Sequence, residues 1–128
     1  MFTLIQQYQN LTEVLMDQKL AKLGDAYVNF LYSLALSKKN GKPTGIKVKG
    51  RLLADAFKKA DLRKFMPSRM DRHKQADAAE ALIVYAWIRG SMTMEESLEI
   101  LEQNEDSIEA FSHILLNAKR KFETEKHR

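Results

Sequence analysis

The stretch Ala81-Leu82-Ile83-Val84-Tyr85-Ala86-Trp87-Ile88 is apolar at eight consecutive positions. At about 100° per residue, such a run covers the whole circumference of a helix, and a helix apolar all round is buried all round. The surrounding signals extend it to a helix over Met70 to Arg89, closed by Gly90. Leu23 to Leu36 is nearly as apolar, interrupted only by Gly24, Asp25, Asn29 and Ser33. These two helices are expected at the centre of the fold, or of an interface.

The rest of the chain reads as helices around them. Phe2 to Met16 carries Leu4, Ile5, Tyr8, Leu11, Val14 and Leu15 at near-helical spacing. A second helix runs from Thr12 or Asp17 to Lys39 and stops at Asn40-Gly41 before Pro43. Lys42 to Lys47 is a loop, Val48 to Ala60 a helix, and Pro67-Ser68 a break. Thr93 with Glu96 makes a capping box, Asn104 to Ser107 a turn, and Ile108 to about Glu125 the last helix. The charged tail, Glu123 to Arg128, is expected to fray. The expectation is one all-α domain over residues 1–128, a bundle of five to six helices.

Composition narrows the function classes. The chain has 128 residues, 45% hydrophobic and 30% charged, which fits a soluble globular domain with its own core. The absence of cysteine excludes disulfides and thiolate metal sites and fits a reducing compartment. No apolar run reaches the ~20 residues that span a bilayer, so a cytoplasmic protein is expected. A net charge of +4 permits a polyanion partner without demanding one. Between Lys38 and Lys74 only Asp55, Asp61 and Asp71 oppose many Lys and Arg, whereas Glu95 to Glu109 holds seven acids and no base. Separate basic and acidic sides, or ordinary solvated faces, both fit this pattern.

Three carboxylates, Asp25, Asp77 and Glu80, are expected at the mouths of the two most apolar helices. Asp77 and Glu80 are three apart and share a face. Asp25, Asn29 and Ser33 form a polar stripe at i+4 spacing. A carboxylate on a buried helix must be hydrated, paired or bound to metal. Asp25, Asp77 and Glu80 together could share a divalent cation, for which carboxylate oxygens are hard ligands. Spacing equally allows plain helix-end acids favoured by the macrodipole, with Lys22 pairing Asp25, and Arg72 or Lys74 pairing Glu80. His73 reads as a surface residue, His113 as a core or interface residue, and Trp87 as core.

Leu20-Ala21-Lys22-Leu23-Gly24-Asp25-Ala26 resembles the signature helix of the ribonuclease III family. Ala76-Asp77-Ala78-Ala79-Glu80-Ala81-Leu82-Ile83 resembles that family's second motif, in the matching order. The resemblance is strongest over residues 18–90. It extends to compact members without a double-stranded-RNA-binding domain, and to a small archaeal group of ribonuclease III-like proteins. It implies an all-α homodimer, joined through the signature helices, that hydrolyses phosphodiesters of double-stranded or structured RNA with Mg²⁺ or Mn²⁺. Asp25 and Glu80 would be the principal catalytic metal ligands, supported by Asp77. Lys47, Lys49, Arg51, Arg72 and Lys74 are candidates to hold the RNA backbone.

The pattern also departs from the family. Its first acid falls on Gln18, whose amide oxygen can ligate but brings no charge, and its next falls on Ala21. Fewer charges predict weaker metal binding. Two other functions stay open: a non-catalytic RNA-binding or ribonucleoprotein component, and a helical dimerisation or adaptor domain using the acidic stretch.

Overall fold

The structure, a computed structural model, describes residues 7–67 and 71–126. Among the described residues there are six α-helices, one 3-10 turn and no strand. The helices are α1 (Leu11–Leu15), α2 (Gln18–Asn40), α3 (Gly50–Lys59), α4 (Arg72–Ile88), α5 (Met94–Gln103) and α6 (Ser107–Lys126), with the 3-10 turn at Arg63–Phe65. No helix among the described residues is long and apolar enough to cross a membrane.

The apolar run dictates the centre. In α4 every residue from Ala81 to Ala86 is buried, as is Ile88, while Trp87 is half-buried and stacks on Tyr27 at 5.0 Å between ring centroids. Helices α1, α2, α3 and α6 all pack on α4. The ends follow from local chemistry. Asp71 opens α4 by accepting from the Lys74 N–H at 2.9 Å. Asp17 opens α2 by accepting from the N–H groups of Lys19 and Leu20. The capping box of Thr93 and Glu96 opens α5. Gly41 ends α2 at φ 71°, a left-handed conformation that a Cβ disfavours.

Several expectations are corrected. The first helix covers only Leu11–Leu15, because Asn10 is extended and caps the Glu13 N–H at 3.0 Å. The part of that expectation before Gln7 lies outside the described residues, as do Ser68 to Met70 and His127 with Arg128. Helix α6 continues through the charged tail to Lys126, with buried Phe122 against Tyr85 and a Ser91–Glu125 hydrogen bond. His113, expected in the core or at an interface, is not in the core of the single chain but exposed. The second apolar helix is only half covered. Leu20, Gly24, Tyr27, Val28, Leu31 and Ala35 of α2 are buried, whereas Leu23 is 49% and Phe30 54% exposed, with Ala26 also open. One chain supplies cover for one flank only.

The acidic stretch is not a bare face. Glu96 pairs with Lys121, Glu102 with Lys38 at 2.8 Å, and Glu109 with Lys59. Bases from α2, α3 and α6 thus meet acids of α5 and of the start of α6.

Candidate active site

A glycine brings the two motif helices together. A Cβ at Gly24 would lie 2.1 Å from the Glu80 carbonyl oxygen, so α2 touches the backbone of α4 where only a hydrogen fits. The next residue along α2 is Asp25, and its carboxylate hydrogen-bonds the Glu80 side chain. Neither acid stands at a helix mouth; both lie about two turns inside. Glu80 is only 8% exposed. Burial, the hydrogen bond to Asp25, and the charges of Asp25 and Asp77 push its carboxyl up to about 8. Asp25 moves the other way: the hydrogen bond from Glu80, then Lys47 and Asn29, hold it below the usual value against a smaller burial effect. The pair therefore shares one proton, carried by Glu80 and donated to Asp25.

Besides Glu80, the groups facing Asp25 come from α2 itself and from the loop docked on it. Asn29 donates from Nδ2 to Asp25 Oδ1 at 3.1 Å and accepts the Val48 N–H at Oδ1, 2.7 Å away. Lys47 Nζ lies 3.5 Å from the same Asp25 oxygen. Asp25 thus takes its cation from Lys47 rather than from Lys22, and Glu80 meets Asp25 rather than Arg72 or Lys74. Lys49 is the N-cap residue of α3 and Arg51 its second residue, both exposed. A Cβ on Gly50 between them would stand 3.8 Å from Ala76 Cβ, so the start of α3 abuts α4 one residue before Asp77. Arg72 and Lys74 are exposed in the first turn of α4. The sequence did not reveal Asn29 as a bridge; its signal was the i+4 stripe, followed by a Gly- and Pro-containing loop short enough to fold back.

Residues 18–122 match the family described as Ribonuclease III, a span covering most of the chain and both motif segments. The chain belongs to the ribonuclease III family. No curated protein matches it.

Within this ribonuclease III-family fold, the remaining expected ligands sit apart from the pair. Asp77 is close enough for its charge to raise Glu80, but it lies in the second turn of α4, not the first, so it is no helix-start acid. Gln18 opens α2, about 10 Å along the axis from Asp25, and lines an open groove with Glu13, Met16, Asp17 and Leu23. Asp17 is committed to capping α2 and to the Tyr8 hydroxyl. Ala21 is buried in the core. Among the described residues no group of three or more His, Cys, Asp or Glu is placed to hold a metal ion. The Asp25–Glu80 pair nevertheless fits a hard divalent ion in its chemistry. Mg²⁺ is commonly held by one or two carboxylates, completing its shell with water and substrate phosphate. A cation there would also offset the burial and the neighbouring negative charges that push the Glu80 carboxyl up.

Proposed function

We propose that this ribonuclease III-family chain is a metal-dependent endoribonuclease hydrolysing phosphodiesters of double-stranded or structured RNA in the cytoplasm. The observation that supports it most is the contact between Asp25 and Glu80, one carboxyl buried and carrying a proton near neutral pH. An acid kept inside an apolar helix pair at that electrostatic cost points to a role beyond folding. Asp25 and Glu80 would hold Mg²⁺ or Mn²⁺, with Asp77 adding negative field. Bound there, the ion would lower the pKa of a water and stabilise charge on the attacking and leaving oxygens. Lys47, Lys49, Arg51, Arg72 and Lys74 would grip phosphates on either side of the pair. An A-form duplex offers its backbone and 2′-hydroxyls rather than its base edges to such a surface.

The open flank of α2, with Leu23, Ala26 and Phe30, supports a homodimer in which a second copy covers it. The buried methyl of Ala21 and the distance of Gln18 favour, as second reading, an RNA-binding component that has lost cleavage. One assay separates the two. The chain is incubated with labelled duplex RNA in Mg²⁺ or Mn²⁺, then in EDTA, beside Asp25→Asn and Glu80→Gln. Metal-dependent cleavage lost in both variants is the expected result. Binding without cleavage would favour the second reading, and neither binding nor cleavage would overturn both.

A further inference from the structure

Residues 44–48 lie along α2 as a strap held by alternate residues. The Ser37 hydroxyl accepts the Thr44 N–H at 2.8 Å, and its proton lies between the carbonyls of Thr44 and Ser33. The Ser33 hydroxyl accepts the Ile46 N–H and donates to the Ile46 carbonyl, both at 3.0 Å. Asn29 accepts the Val48 N–H. Helix positions 37, 33 and 29 thus meet strap positions 44, 46 and 48 in reverse order. The register holds because the rises match: four helical residues advance about 6.0 Å and two extended residues about 6.6 Å.

The stripe ends on Asp25, one step below Asn29. The Asn29 amide can face only one way. Val48 offers an N–H, so the amide oxygen must turn to it, and the NH₂ group then turns to Asp25. One planar group therefore fixes a carboxylate on one side and the strap that carries Lys47 on the other. Asn29 is half-buried, which shields both bonds from water.

We propose that Asn29 is a positioning residue whose amide couples the 44–48 strap to Asp25, holding the carboxylate and Lys47 in one fixed arrangement. Its kinetic consequence rests on the hydrolytic reading above; the coupling itself does not. Moving the strap moves Lys47, and freeing Asp25 frees the strap, because both act through the same amide.

Two measurements test it on the full chain. The first needs no activity: amide hydrogen exchange at Val48, Ile46 and Thr44 in wild type, Asp25→Ala and Asn29→Asp. Coupling predicts that Asp25→Ala speeds Val48 exchange by about threefold or more, with Thr44 unchanged. Unchanged Val48 exchange would overturn the proposal. The second is a KM-against-kcat comparison on duplex RNA with Mg²⁺. Asn29→Asp keeps an acceptor for Val48 but replaces the donor to Asp25, so it retains the strap yet should lower kcat by about tenfold. Ser33→Ala loosens the strap away from Asp25 and should raise KM with kcat held within twofold. Full kcat in Asn29→Asp, or equal kcat losses in both variants, would reduce Asn29 to a loop anchor and refute the proposal. If wild type cleaves nothing, the hydrolytic reading fails while the exchange experiment still decides the coupling.

Discussion

Replacing Gly24 with Ala is a small change whose sign is diagnostic. On an open helix surface the substitution stabilises, by about 1 kcal/mol, because Ala restricts the unfolded chain and favours helix. Here the new Cβ would stand 2.1 Å from the Glu80 carbonyl oxygen and 2.5 Å from its carbon. Ordinary contact begins near 3.4 Å, so the two helices must separate locally by about 1.3 Å. The obstructing atoms are backbone, which cannot swing aside as a long side chain would. Overpacking of this kind costs roughly 1–3 kcal/mol or more, and the rigid obstacle puts Gly24→Ala at the upper end. After the helix-propensity gain, the net loss is about 2 kcal/mol, or ~6–10 °C in Tm for a chain of this length. Thermal unfolding followed by circular dichroism reads it directly. A Tm equal to or above wild type would refute the close approach of α2 to α4. The contact between Asp25 and Glu80 would lose its basis with it.

Four further outcomes follow from the same geometry. Without divalent ions, the fold holds a proton on Glu80 between its ordinary value of 4.5 and about 8, which the unfolded chain lacks. Stability should therefore fall as pH rises across that window, whereas the contribution of Asp25 is lost only below pH 3.8, as pH drops through its lowered folded value. Tm from pH 5 to 8 should decline in wild type and flatten in Glu80→Gln; a rising wild-type curve would contradict the assignment. Lys47→Met removes a cation 3.5 Å from Asp25, so it should tighten Mn²⁺ binding by calorimetry while raising KM for RNA; weaker metal binding would argue against competition between ammonium and ion. Phe30→Glu places a charge on the open flank of α2 and should shift sedimentation to monomer, an idea abandoned if wild type is already monomeric at high concentration. Thr93→Ala breaks the α5 capping box and should cost about 1 kcal/mol with cleavage unchanged, which thermal melts and the RNA assay check together.

The helices were legible where punctuation and periodicity agree. Gly41, Gly90 and the Thr93–Glu96 box end or begin elements where the sequence placed them, because each acts through its own backbone and first turn. The first helix was misread because Leu4 to Leu15 keeps helical spacing across Asn10, whose cap resets the chain. Tertiary facts were less legible. Nothing local in Leu23, Ala26 and Phe30 distinguishes a flank covered by α4 and α5 from one left to solvent. The site lay between these cases. The i+4 stripe from Asp25 was visible, but that its polar groups bind the strap rather than water depends on the loop from Gly41 to Lys49 turning back onto α2. His113 lies outside the core for a simple reason: between buried Ser112 and Ile114 it occupies the single solvent-facing position of that turn.

The missing acids and the strap bear on one another. A site with acids at positions 18 and 21 would carry more negative charge than two carboxyls sharing a proton. Here position 21 is a methyl in the core and position 18 looks into another groove. One proton on Glu80 and the Lys47 ammonium offset the charge of the Asp25–Glu80 pair, leaving Asp77 as the remaining negative charge beside it. That lysine is 74% exposed and its ion pair spans 3.5 Å, so holding it there contributes little. If Asp25 and Glu80 hold a divalent ion as proposed, the ion would compete with both the Glu80 proton and the Lys47 ammonium for these carboxylates. On the proposed metal-dependent reading, the reduced charge would weaken metal binding, and binding of the ion would release Lys47 from Asp25.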